Sequence, residues 1–142
     1  MQRLRRYLND NSQKRAEIFD YNESYVFFRV LENGPLGSLE VPVTAGRSIA
    51  TDARLFPKGT LVLIQTEIPR IDGAGALVGW RPITRFALNQ DTGGAIRGPR
   101  RADIYFGSGE VAAGLAGYMN RQGKMFFLML KSDEPMAASG AQ

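Results

Sequence analysis

The chain has 142 residues, 44% hydrophobic and 23% charged, and this size and balance suit one folded domain with a buried core. It contains no cysteine and no histidine, which excludes disulfides, thiolate nucleophiles, imidazole metal ligands and every mechanism that uses a histidine base. Acid–base chemistry near neutral pH therefore has to use carboxylates, tyrosine or lysine. The net charge of +4 suits a polyanionic ligand, although an ordinary basic surface also explains it.

The first twenty residues predict helical structure with an interruption. Leu4, Tyr7 and Leu8 share one helical face, and residues 9–12 break the pattern, so we expect two short helices with Ser12 capping the second. A packing helix with a solvated basic face explains this segment better than nucleic-acid binding does. The chain shows neither a stretch long and apolar enough to span a membrane nor the apolar core of a signal peptide.

From residue 21 onwards the pattern changes to short strands separated by Gly and Pro. Strand-forming runs are predicted at 25–30, 48–50, 60–64, 80–88, 102–106 and 124–130. Residues 71–75 predict a hairpin tip, and Pro82 predicts an edge or a bulge. A helix is predicted at 110–119 and a loose tail at 132–142. The chain is thus expected to be mainly β, a compact barrel with a short N-terminal helical segment and one helix before the last strand.

Asp91 and Asp52 are carboxylates next to turns. Asp91 precedes paired glycines at 93–94, where a carboxylate can accept hydrogen bonds from backbone N–H groups and stay ionised. An ordinary Asx-turn explains the same motif. Asp52 ends the segment 47–52 and could either brace a loop or join a cluster of carboxylates.

Asp103 has a different sequence environment. Ala102 precedes it and the apolar run 104–106 follows, so partial desolvation would favour the protonated form that a general acid needs. A pair with Arg100 or Arg101, or an outward position at a strand edge, is an equally open reading. Two carboxylates in contrasting surroundings are typical of glycosidic-bond chemistry, but a separation of twelve residues does not fix their distance in space.

Four segments occur in the order and spacing of a known family: 25–28, 46–52, 90–98 and 101–107. Together they resemble the C-terminal three-aspartate (3D) domain of the membrane-bound lytic murein transglycosylase A family, from about residue 5 to about residue 131. The resemblance implies a six-stranded double-psi β-barrel at 23–131, after a helical lead-in at 1–22 and before a flexible tail at 132–142.

The resemblance also implies an activity, that of a peptidoglycan lytic transglycosylase, a carbon–oxygen lyase acting on polysaccharides. Such enzymes cleave the β-1,4 bond between N-acetylmuramic acid and N-acetylglucosamine and leave a 1,6-anhydromuramyl end. By this resemblance Asp103 acts as acid and then base, Asp91 supports it, and Asp52 completes the trio. Substrate contacts are expected from Gly93, Gly94, Tyr105 and Arg47. Neither a metal ion nor another cofactor is expected.

The family's proteins are longer than this chain and hold the glycan in a groove between the barrel and a second domain. That domain, an export signal and a lipoprotein anchor are expected outside these 142 residues, in a protein of the periplasm and outer membrane. The expected partner is the glycan strand of peptidoglycan, not nucleic acid. The alternative is a non-catalytic peptidoglycan-binding barrel, and a weaker one is nucleic-acid binding through clustered arginines.

Overall fold

The computed structural model describes residues 2–24, 27 and 30–131. The predicted tail at 132–142 and most of the predicted strand at 25–30 lie outside the described residues. Phe27 and Val30, which are described, are exposed and belong to no strand. No helix in the described part of the chain is both long and apolar enough to cross a bilayer.

The N-terminal segment contains two short helices, as predicted. Helix α1 spans Gln2–Asp10, a 3-10 helix spans Ser12–Lys14, and helix α2 spans Arg15–Asp20. The prediction that Ser12 caps the second helix is wrong, because Ser12 begins the 3-10 turn and α2 has no side-chain cap. The two helices are joined instead by Arg15, whose guanidinium donates to the Leu8 carbonyl at 2.7 Å and to Asn9 Oδ1 at 3.1 Å.

The rest of the chain is built on one sheet. Its strands are β1 (Ser48–Thr51), β2 (Leu61–Ile71), β3 (Leu77–Asp91), β4 (Ala102–Ile104) and β5 (Lys124–Phe127), and helix α3 (Glu110–Tyr118) precedes β5. The strand order is β4-β1-β3-β2-β5, and the sheet curls like half of a barrel. The chain is therefore mainly β, as predicted, with five strands rather than six in its described part. Strands β1 and β3 run parallel, and the other pairs are antiparallel.

The long hairpin of β2 and β3 is the largest feature of the sheet. Its tip lies where the sequence predicted it, and Asp72 Oδ1 accepts hydrogen bonds from the backbone N–H groups of Ala74 and Ala76, both at 2.9 Å. Strand β1 pairs with β3 only at the last few residues of β3. At Pro82, opposite Glu67, β2 is therefore the only strand partner of β3 among the described strands. Pro82 consequently removes no bond of the β1–β3 ladder, as its predicted edge position requires.

The hydrophobic core lies on the inner face of this sheet. Its centre is Ile49, Val62, Ile64 and Ala87, and Ile104, Met125 and Phe127 pack against it. Because strand side chains alternate between faces, Ile49 in β1 and Ile104 in β4 anchor these short strands while their neighbours in sequence face the other way. Helix α3 closely approaches β2, since a methyl group on Gly114 would lie 3.1 Å from Ile71 Cδ1. The core thus supports the ends of β1, β3 and β4.

Candidate functional site

Asp91 and Asp103 come together across strand β1. Ala50 in β1 pairs with Asp91 at the end of β3 on one side and with Asp103 in β4 on the other. Neighbouring strands lie about 4.8 Å apart and paired residues project to the same face, so the two aspartate Cα atoms are separated by roughly 10 Å on one face. The topology therefore supplies the proximity that the spacing in sequence did not fix.

The Asp103 side chain is half-exposed, at 49% of its surface, and it forms an ion pair. Arg101 Nε donates to Oδ1 and Nη2 donates to Oδ2, each at 3.1 Å. The expectation of a desolvated carboxyl group is wrong, because β4 lies at the edge of the sheet in the described part of the chain and its apolar neighbours Ala102 and Ile104 point to the opposite face. The alternative interpretation, an ion pair between Asp103 and Arg101, is the one that the structure confirms.

Arg101 also ties Asp103 to the loop that follows Asp91. Its Nη1 donates to the Ala95 carbonyl at 2.8 Å, so one guanidinium spans both sides of the site. An exposed ion pair of this kind contributes at most about 1 kcal/mol to stability. A ligand that binds Asp103 could therefore displace Arg101 at little energetic cost.

Replacing Arg101 with Gln separates stability from any role in the site. We expect Arg101→Gln to change the free energy of unfolding by less than about 1 kcal/mol, because both partners are half-exposed and screened by solvent. Urea denaturation followed by circular dichroism measures this change, with Arg3→Gln on the exposed side of α1 as control. A loss of several kcal/mol would contradict the description of this pair as a surface contact.

Asp91 receives its hydrogen bond from a distant loop. Its Oδ1 accepts from the Ser38 backbone N–H at 3.0 Å, and among the described residues its own glycine turn, one of the two readings of the motif, supplies no such donor. Gly37 permits this approach, because a Cβ there would lie only 2.5 Å from the Gln90 carbonyl oxygen. Sequence reasoning missed the loop at 37–38, for which only the nearby Gly and Pro residues gave a signal.

The Asp52 side chain is fully buried and braces the loop between Asp91 and Asp103. Arg54 donates to it through Nη2 at 2.7 Å, Nε at 3.0 Å and its backbone N–H at 3.1 Å, and the Gly98 backbone N–H donates at 2.9 Å. The Arg54 guanidinium, followed by the Gly98 N–H, holds the pKa of Asp52 well below its usual range. In the described part of the chain, no three potential metal-ligand side chains are grouped to hold a metal ion.

Lys58 is a charged residue of this region that the sequence did not single out. Its Nζ donates to the Asp91 carbonyl at 2.5 Å, to the Thr51 carbonyl at 3.1 Å, and to Thr51 Oγ1 and Asn89 Oδ1, both at 3.2 Å. Burial lowers the pKa of Lys58, while the carboxylates of Asp91 and Asp52 oppose this shift. In the sequence, residues 56–59 indicate only a turn, and nothing in them indicates that Lys58 contacts Asp91.

The four expected substrate contacts lie at different places. Gly93 and Gly94 lie in the turn after Asp91, and Tyr105 comes two residues after Asp103, with its hydroxyl 3.2 Å from Ser108 Oγ.

Arg47 is not brought to the site. Its Nη1 donates to the Phe86 carbonyl at 3.0 Å, and Phe86 lies about 17 Å along β3 from Asp91. Three of the four thus flank the two aspartates.

Comparisons with known proteins agree on one family. Residues 47–129 match the 3D domain family. The chain is 34% identical over 130 residues to membrane-bound lytic murein transglycosylase A of Escherichia coli (strain K12), and this match covers 90% of the chain. It spans about a third of the length of this curated relative, 34%.

Solved structures of related proteins share the fold. MltA from Neisseria gonorrhoeae superposes with a TM-score of 0.76 at 32% identity, covering 94% of this chain and 33% of the neighbour. Escherichia coli MltA with bound chitohexaose superposes with a TM-score of 0.74 at 30% identity, covering 90% of this chain and 38% of the neighbour. That second neighbour is a complex with a sugar oligomer.

Proposed function

This chain belongs to the 3D domain family, and from that membership we propose that it carries the aspartate site of a peptidoglycan lytic transglycosylase. The enzyme cleaves the β-1,4 bond between N-acetylmuramic acid and N-acetylglucosamine. It is a carbon–oxygen lyase, because no water enters the product. The similarity to a relative with bound chitohexaose supports a glycan as the ligand.

In the proposed reaction Asp103 works twice. Its protonated carboxyl group gives a proton to the glycosidic oxygen as the bond to the muramyl anomeric carbon breaks. The resulting carboxylate then takes the proton of the muramyl 6-hydroxyl as that oxygen bonds to the same carbon. Because the attacking hydroxyl belongs to the substrate, its effective concentration is high, so a second strong base is not needed.

Asp91 is proposed to stabilise the positive charge that develops on the sugar. A fixed carboxylate at the position where charge develops lowers the barrier, because it needs no reorganisation during the reaction. The single observation that carries the proposal is the row Asp103–Ala50–Asp91, which puts both aspartates on one face of three adjacent strands. The Arg101 pair with Asp103 suits the ionised stage, and a sugar displaces it before proton donation.

The proposal extends to the setting of the site. The sheet forms part of a six-stranded double-psi barrel within residues 23–131, with 1–22 as a helical lead-in and 132–142 as a flexible tail. A further domain completes the groove in which the glycan is aligned. The protein acts in cell wall turnover in the periplasm, associated with the outer membrane through a lipid anchor. The name of the curated relative, a membrane-bound murein transglycosylase, supports this setting.

The product of the reaction tests the proposal. Purified peptidoglycan is incubated with the full-length protein, and the released muropeptides are analysed by mass spectrometry. We expect anhydromuropeptides, each lighter by one water than the corresponding hydrolysis product. Hydrolysed ends would contradict a lyase, and retention on insoluble peptidoglycan without any release would favour the non-catalytic binding barrel.

A further inference from the structure

Lys58 is a half-buried cation held between the ends of two strands. An ammonium group has three donors, and four protein oxygens lie within 3.2 Å of this one. Two of these oxygens belong to Thr51 at the end of β1, and the other two belong to Asn89 and Asp91 at the end of β3. Because a lysine is strongly hydrated in water, these oxygens replace its solvation. The turn at 56–59 does not itself require a buried lysine, because an exposed lysine would fit the same turn. The burial of the Lys58 ammonium therefore needs an explanation of its own.

The place that Lys58 occupies is the point where the parallel ladder is irregular. The register of β1 against β3 shifts between Ile49 and Ala50, one residue before Asp91 is reached. Lys58 links the carbonyl of Asp91 to Thr51, the residue that follows Ala50. It therefore connects the two strands where their own hydrogen bonding is disrupted.

We propose that Lys58 is a positioning residue that fixes the Asp91 carboxylate relative to Asp103; this inference rests on the proposed function. Its shortest contact on β3 is to the backbone oxygen of Asp91, so Lys58 does not use the carboxylate as its hydrogen-bond acceptor. The partners of Lys58 on β1 belong to the strand that also pairs with Asp103. One ammonium thus links the end of β3, which carries Asp91, to the strand that lies beside Asp103.

Neighbouring hydrogen bonds hold the lysine turn in place. The Gly59 backbone N–H donates to the Asn89 carbonyl at 2.8 Å, and Asn89 Nδ2 donates to the Pro57 carbonyl at 2.8 Å. Asn89 is fully buried and also accepts from Thr51 Oγ1 at 2.8 Å. The lysine is therefore presented to the site by a fixed loop, as a positioning group requires.

The test compares Lys58→Met, which keeps length without charge, with Lys58→Arg, which keeps charge and donors. Release of anhydromuropeptides by the full-length protein gives kcat and KM. We expect Lys58→Met to lower kcat by about 10- to 100-fold with KM changed less than about threefold, since small misplacement of a catalytic group costs up to about 100-fold. Lys58→Arg should recover part of kcat, and Lys124→Met, at an exposed position of β5, should match the wild type.

A second measurement separates this inference from the proposed function. Nuclear magnetic resonance of the Lys58 side chain reports its pKa, which should fall further in Asp91→Asn because the opposing carboxylate is lost. A wild-type protein that releases no anhydromuropeptides overturns the proposed function. A folded Lys58→Met variant with wild-type kcat, or a Lys58 pKa that does not respond to Asp91→Asn, overturns the positioning role.

Discussion

Asp103→Asn should lower the rate of anhydromuropeptide release by about 100- to 10,000-fold while the fold is retained, because proton transfer by a positioned side chain contributes a factor of this size. The amide can neither donate the proton of a carboxylic acid nor accept the proton of the 6-hydroxyl, so both proposed steps fail. Since Asp103 is half-exposed at the edge of the described sheet, the substitution should leave the core intact. The measurement is kcat on purified peptidoglycan with the full-length protein.

Asp20→Asn is the matched control for this experiment, because Asp20 is an exposed aspartate at the end of α2, outside the sheet. It should release product at the wild-type rate. If Asp103→Asn also did so, the acid–base assignment would be wrong. If both variants lost activity together, the loss would have to be ascribed to the protein preparation and not to the carboxyl group.

The largest loss of stability among the charged residues of the site is expected from Asp52→Asn. The amide keeps the shape of the side chain but removes the charge. If its NH2 group takes the place of Oδ2, it is a donor that faces two other donors, Arg54 Nη2 and the Gly98 N–H. Breaking a buried ion pair on one side leaves the remaining groups uncompensated. Urea denaturation should therefore show a larger fall in midpoint for Asp52→Asn than for Arg101→Gln, whose partner is half-exposed.

The same substitution should change how stability depends on pH. The pKa of Asp52 is lower in the folded state than in the unfolded chain, where an aspartate titrates near pH 3.9. The stabilisation that ionised Asp52 gives the folded state is therefore complete above that pH. It is lost as the pH falls through the lower pKa that Asp52 has in the folded state. Asp52→Asn removes this contribution, so its urea midpoint should fall less steeply than that of the wild type on acidification below about pH 4. Equal slopes would show that Asp52 is not the group that titrates.

Local patterns were sufficient to predict the hairpin, the helix α3 and the broken N-terminal helix. Strand-forming runs at 60–64 and 80–88 and a glycine-rich tip at 71–75 indicate β2 and β3, because the two strands of a hairpin are close in sequence. The extent of both strands was underestimated, since the predicted runs at 60–64 and 80–88 cover only parts of β2 and β3. The meeting of Asp91 with Asp103 depended on the family resemblance, because strand order is a property of the whole sheet.

The surroundings of single charged residues were harder to predict. Asp103 follows and precedes apolar residues, but in a strand those neighbours face away from it, so adjacency in sequence gave the wrong burial. Lys58 shows the opposite error. A lysine between Pro57 and Gly59 indicates an exposed turn, and only the return of β3 beside β1 surrounds it with oxygen atoms. Both errors arise from contacts that form between distant parts of the chain.

The parallel pairing of β1 with β3 also has a consequence for the folding pathway. Strands β2 and β3 are joined by a tight turn and can pair with little loss of chain entropy. Strand β1, in contrast, pairs with residues of β3 that lie about forty positions later in the chain, so its pairing closes a much longer loop. We therefore expect the hairpin to form early, with the row of Asp103, Ala50 and Asp91 assembled late. A nascent or partly folded chain would then form the β2–β3 part of its sheet before Asp91 and Asp103 lie beside each other.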